Sequence, residues 1–151
     1  FYYAVIIFTY SPPDYYGADK KIPNNIEFSE PLDSIPLRQD FENYDLILTN
    51  DVQPGIYRYY TDYTPEETGY FYVKAYEITS NDILSRDRMK EQSKTQVNEE
   101  EKKFFEGRFT IYEGSWGYKY GSRIELWFQP SNGQGEYKVT DRNYIVEGWM
   151  R

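Results

Sequence analysis

The stretch Phe109 to Phe128, FTIYEGSWGYKYGSRIELWF, decides the fold. Its second half alternates strictly, with Ile124, Leu126 and Phe128 on one face and Arg123, Glu125 and Trp127 on the other. That is the period-two pattern of a strand burying one face. Its first half repeats the pattern more briefly, Phe109 and Ile111 alternating with Thr110 and Tyr112. Between the two runs Gly114, Gly117 and Gly121 interrupt the aromatics Trp116, Tyr118 and Tyr120, and glycine there permits positive φ or close backbone approach. Two strands joined by a glycine-broken aromatic loop are expected.

Outward from that stretch the same period recurs. In GYFYVKAYE, Phe71, Val73 and Ala75 form a core face and Tyr70, Tyr72, Lys74 and Tyr76 the opposite one, so a tyrosine stripe beside Trp127 is expected, its hydroxyls in water. Gly55 to Tyr60 reads as the hairpin partner of Tyr70 to Ile78 across the turn TDYTPEETG. Further upstream, Asn43 to Thr49 offers Leu46 and Leu48 on one face, and Ile26 to Phe28 a short strand. Downstream, QPSNGQG leads into EYKVT, Glu136 to Thr140, which pairs back on Arg123 to Phe128. A turn at Asp141 to Asn143 then precedes a last strand, Tyr144 to Met150. From Ser80 to Gly107 the chain is polar and lacks aromatics before Phe104; Ser85 is placed to cap a short helix through about Ser93, followed by a short strand at Lys94 to Val97.

At 151 residues the chain suits one domain, residues 1–151, with a core that needs no disulfide or metal. Aromatics are 20% of it, 18 of them Tyr, a composition suited to pleated surfaces. The expected class is all-β, an antiparallel β-sandwich with one short helix near residues 80–106. The apolar run Phe1 to Tyr10 is half as long as the about twenty residues a membrane-spanning helix needs. It reads either as a first strand or as the remnant of an upstream membrane or signal segment.

No Cys or His is present, which excludes thiol chemistry, thiolate metal sites and the imidazole base of a catalytic triad. Nucleotide, phosphate-loop and nucleophile-elbow motifs are also missing, so no cofactor is expected. Net charge is -8, with 12 acids against 5 bases in residues 1–75 and near balance after them. An acidic chain without a basic stripe repels phosphate backbones, so nucleic acid is not an expected partner. Acidic loops leave calcium open, although no DxDxDG-type spacing occurs.

The run Glu66, Glu67, Thr68, Gly69, Tyr70, Phe71, Tyr72, Val73, Lys74, Ala75 resembles the F strand of immunoglobulin-type domains. It departs from that pattern at Phe71, where the family has its corner tyrosine, and at Val73, where it has the disulfide cysteine. More broadly, GYFYVKAYE and IYEGSWG resemble the extracytoplasmic β-domains of bacterial membrane-anchored proteins. That resemblance implies an extracytoplasmic location, with anchoring upstream of residue 1, and implies no activity.

The expected function is a non-catalytic interaction or structural module that binds protein or glycan through aromatic loops. Trp116, Tyr118 and Tyr120 on the glycine-broken loop and Trp127 on the adjoining outer face are the candidate ligand-binding residues, because Trp and Tyr are enriched in binding hot spots. The alternative is a carboxylate-based hydrolase, such as a glycosidase, using Glu113 and Glu125.

Overall fold

Alternating aromatic and β-branched residues build most of the molecule, and among the described residues the apolar positions of seven strands converge on one interior. The computed structural model describes residues 15–97 and 104–149; the Phe1 to Tyr10 run lies outside them. In chain order the strands are β1 (Leu46–Asn50), β2 (Ile56–Thr61), β3 (Gly69–Glu77), β4 (Thr95–Val97), β5 (Phe105–Thr110), β6 (Tyr120–Pro130) and β7 (Tyr137–Val146). A 3-10 turn, Arg38–Phe41, precedes β1, and a one-turn helix, α1 (Met89–Ser93), precedes β4. The strands form two antiparallel sheets, one ordered β1-β2-β5 and the other β4-β3-β6-β7. The fold is an all-β sandwich.

The core lies between the sheets. Leu46, Leu48, Tyr57, Tyr59, Phe105 and Phe109 of the first meet Phe71, Val73, Ala75, Ile124, Leu126, Phe128, Tyr144 and Val146 of the second. Ile111 joins them, as the alternation requires. Buried tyrosines do more here than fill space, because their hydroxyls fasten one sheet to elements of the other. The Tyr144 hydroxyl on β7 accepts from the Leu48 N–H and donates to the Leu46 carbonyl of β1, each at 3.1 Å. Burial pushes its ionisation up to about 12, so the proton it donates stays on. Tyr57 accepts from the Glu147 N–H at 2.9 Å, and Tyr59 donates to the Ser93 carbonyl at 2.6 Å. Such hydroxyls satisfy backbone groups that edges and chain ends otherwise leave exposed.

Connectivity differs from the sequence reading in three places. β2 and β3 are not a hairpin: β2 pairs with β1 and β5, β3 with β4 and β6. The segment TDYTPEETG therefore crosses between sheets, and Gly69 stands where the chain enters the second, since a Cβ there would lie 2.2 Å from the Gln129 carbonyl oxygen. The aromatic loop joins two strands, β5 and β6, as expected, and crosses from one sheet to the other. Second, no turn breaks Asp141 to Asn143; β7 runs through them, paired with Glu125, Ile124 and Arg123, and its register shifts by one residue opposite Leu126 and Trp127. Third, no strand forms at Ile26 to Phe28; the neighbouring Ser29 makes an isolated bridge to Tyr144. The β6–β7 hairpin and the short β4 form as expected.

At the end of β3 the chain turns back through Glu77, which is fully buried. Burial alone would raise its pKa, but the Thr79 hydroxyl and the Thr79 and Ser80 N–H groups donate to the carboxylate and hold it below the ordinary range. The turn returns Ile83 and Leu84 alongside β3, where Leu84 N–H donates to the Ala75 carbonyl at 2.9 Å. This return forms one wall of the site described next.

Candidate functional site

The four aromatic residues singled out in the sequence do not form one site. Tyr120 opens β6 and is fully buried; its hydroxyl donates to the Glu113 carbonyl at 2.7 Å and its ring meets Tyr16 edge-on at 5.2 Å. It belongs to the core because its side chain shares the inward face with Ile124, two turns of the pleat further on. Tyr118 is half-buried, its ring edge-on to Tyr15 at 5.6 Å. Trp116 is half-buried too, and its indole N–H donates to the Pro54 carbonyl at 2.9 Å. The loop folds back on its own sandwich end, where Gly148 lies so close to Gly114 that a Cβ on it would sit 2.2 Å from the Gly114 carbonyl. Trp127 lies seven positions after Tyr120, roughly 23 Å away at the ~3.3 Å rise of a strand.

A partly buried, hydrogen-bonded Trp116 predicts a modest effect on replacement. Trp116→Ala should lower stability by about 1–2 kcal/mol, the scale of one net hydrogen bond with partial apolar burial. A urea titration showing no change would put the ring free of the fold, and a loss as large as a fully buried Trp gives, about 3–5 kcal/mol, would put it in the core.

Trp127 instead joins the tyrosine stripe. In register it faces Tyr72 of β3, and together with Tyr70 and Tyr76 they occupy the outer face of the four-stranded sheet. Each ring carries a cation: Lys74 stands 3.8 Å from the Trp127 centroid, Lys90 4.8 Å from Tyr72, Lys94 4.9 Å from Tyr70 and Arg123 4.7 Å from Tyr76. Two of the cations, Lys90 on α1 and Lys94 just after it, come from the polar excursion, not from the sheet. The stripe is thus drier than expected. Tyr72 is fully buried and its hydroxyl donates to Glu136 at the approach to β7. Burial first, and then that carboxylate, push its pKa far up, so it acts only as a neutral donor.

The carboxylates proposed as a hydrolytic pair are not brought into contact with each other. Glu125 is buried on the outer face, taking Arg123 Nε at 2.9 Å and Trp127 Nε1 at 3.0 Å. Glu113, in the loop after β5, accepts the Ser85 N–H at 2.8 and 3.0 Å through its two oxygens. Ser85 adopts φ +51, a left-handed backbone that costs free energy for a residue with a Cβ, and the carboxylate holds it there. Among the described residues no three acidic side chains converge to hold a metal ion.

Beside the stripe lies a groove of about 330 Å³ between β3 and the returning segment Ile83 to Lys90, within the size range of ligand pockets. Val73, Ala75, Leu84 and Met89 also line it, but their side chains are buried in the core behind it. Tyr72, Lys74 and Tyr76 form the sheet-side wall and Ile83, Arg86 and Lys90 the other, with Glu136 at one end. Ile83 is 42% exposed, an aliphatic side chain held at the rim by its bridge to Tyr76. None of Ile83, Arg86, Lys90 or Glu136 stood out in the sequence. The spacing of Arg86, Lys90 and Lys94 by fours on the segment that Ser85 begins was the signal present.

Compared with known proteins, the chain matches no family model, no curated relative and no solved structure. Among the described residues no helix is long and apolar enough to cross a membrane.

Proposed function

We propose that this domain is a non-catalytic interaction module that seats a segment of a protein partner in the groove beside β3. The observation that carries the reading is the groove itself: an exposed aliphatic Ile83 at the rim and a flank of Tyr, Trp, Lys and Arg side chains. Apolar anchors inside a ring of aromatic and charged residues are the composition of protein-binding hot spots. A glycan fits the same surface less well. A sugar stacks on an open ring face, and to reach Tyr70, Tyr72, Tyr76 or Trp127 it would have to displace an ammonium or guanidinium already there. Hydrolysis is supported no better, because Glu113 and Glu125 are each engaged in separate internal contacts.

The extracytoplasmic location and the kinship with β-domains of membrane-anchored proteins, immunoglobulin-like or otherwise, belong to the same proposal; their support is the sequence resemblance of GYFYVKAYE and IYEGSWG. Fractionation of cells producing a tagged chain tests the location, and a cytoplasmic pool alone would end it.

Selection of a random 12-residue peptide library on the wild type, followed by affinity measurement against Ile83→Asp, tests the binding site. Ile83 is exposed, so the substitution leaves the fold intact while placing a carboxylate at the apolar rim. Selected peptides should lose at least about tenfold in affinity, or 1.4 kcal/mol. Peptides indifferent to Ile83→Asp, or a glycan array giving ligands where the peptide library gives none, would overturn the proposal.

A further inference from the structure

The groove carries a charge opposite to that of the molecule. The chain has a net charge of -8, yet the groove is lined by Lys74, Arg86 and Lys90 against a single carboxylate, Glu136. The excess comes from a row. Backbone bonds from Met89 N to Ser85 O at 2.8 Å and from Gln92 N to Arg88 O at 3.0 Å wind the segment from Ser85 through α1 helically. Arg86, Lys90 and Lys94, spaced four apart, therefore project on one side. That side faces β3: Lys94 stands over Tyr70, Lys90 over Tyr72, and Arg86 lines the groove.

Internal pairing neutralises these cations only in part, Lys94 holding Glu91 at 3.1 Å. Glu136 lies 3.8 Å from the Lys74 ammonium and 3.7 Å from that of Lys90, and also takes the Tyr72 hydroxyl, so one carboxylate serves two lysines beyond hydrogen-bond length. Among the described residues the Arg86 guanidinium makes no ion pair or hydrogen bond. An arginine at a groove mouth with its donors facing solvent is suited to bidentate capture of a carboxylate.

Resting on the reading of the groove as a protein-binding site, we infer that its occupant is an acidic segment: an apolar side chain seated against Ile83, flanked by two or more Asp or Glu that pair with Arg86, Lys90 and Lys74. The exposed Ile83 selects a peptide over an anionic glycan or a phosphate, because neither of those brings an apolar group to cover it. The cation row selects acidic over neutral peptides and raises the association rate.

The test is a synthetic array of 12-residue Gly/Ser peptides with a central Leu or Phe and zero to four flanking Asp or Glu, with Lys-flanked counterparts, probed with the wild type, with Arg86→Glu/Lys90→Glu and with the remote control Lys21→Glu. All three positions are exposed, and unchanged far-UV circular dichroism confirms the fold. Wild-type affinity should rise at least tenfold from no acid to four, weaken with added salt, and fall at least tenfold in the double variant but not in Lys21→Glu. Peptide binding that needs Ile83 yet ignores acid count overturns the inference and leaves the binding site standing. An equal loss in Lys21→Glu shows a whole-molecule charge effect and also overturns it. No peptide binding at all, with or without binding to acidic glycans or anionic vesicles, overturns both.

Discussion

Phe71→Ala should lower the free energy of unfolding by about 3–5 kcal/mol, the range for a fully buried aromatic ring cut back to a methyl group. Phe71 has no exposed surface and stands where both sheets and a crossover meet. Its ring contacts Phe128 of β6 at 5.2 Å, Phe105 of β5 at 5.4 Å and Tyr63 of the β2–β3 connection at 6.4 Å. These rings meet in edge-on or tilted geometry, which adds to the apolar area they bury. Collapse into the space is limited because Phe105 and Phe128 are each held by a backbone ladder. Urea titration of Phe71→Ala beside Arg123→Ala, whose side chain is on the outer face, measures the contrast. A loss below about 1 kcal/mol for Phe71→Ala, the level of a surface change, would mean the sheets do not pack here.

The faces of this sandwich were legible in the sequence, and the pairing of its strands was not. Alternation placed Phe71, Val73, Ile111, Ile124, Leu126 and Phe128 inside, and each is fully buried. Period two reports which side of a strand meets the core, and it is the same whether the neighbour in sequence is a ladder partner or a strand of the opposite sheet. That is why Gly55 to Tyr60 read as the partner of Tyr70 to Ile78, although β2 and β3 lie in different sheets. The turn misread at Asp141 to Asn143 has a related cause. Asp141 and Asn143 are turn formers locally, but opposite Glu125 and Arg123 they continue the ladder of β7, and paired context overrides local preference.

The candidate site was half legible. The tyrosine stripe and Trp127 share a face, as the alternation of two strands implied, while the loop carrying Trp116 and Tyr118 lies at the far end of β6. What the sequence hid was depth. Tyr72 on an outward position reads as wet, yet Lys74, Lys90 and Glu136 close over it, two of them from segments remote in the chain. Long side chains that lay aliphatic stems over aromatic rings bury positions that periodicity assigns to solvent. The cation row was present in the sequence as RDRMKEQSK, but only the return of Ile83 along β3 gives it something to face.

Tyr59 and Gly107 should be strongly coupled, and their double-mutant cycle tests how the excursion is tied to the sandwich. They face each other directly across β2 and β5, and the Tyr59 ring lies over the glycine: a Cβ built on Gly107 would sit 2.2 Å from ring carbons and 2.4 Å from the hydroxyl oxygen. The ring cannot slide away easily, since its hydroxyl is bonded to the Ser93 carbonyl at 2.6 Å and to the Thr95 hydroxyl at 2.8 Å. Gly107→Ala should therefore cost about 1–3 kcal/mol through overpacking. Tyr59→Ala should cost about 3–5 kcal/mol through the cavity and the two lost bonds. With the ring gone, the new methyl group meets space instead of a ring, so the double variant should be more stable than the additive expectation by about 0.5–3 kcal/mol. Tyr59→Phe separates the two parts of the single effect, keeping the packing and removing the bonds to Ser93 and Thr95, for a loss of about 1–2 kcal/mol. Equilibrium urea unfolding of the four cycle members gives the coupling. Additivity within about 0.3 kcal/mol would show that the ring does not rest on Gly107, and with it would go the account of why β5 carries a glycine opposite a fully buried tyrosine of the core.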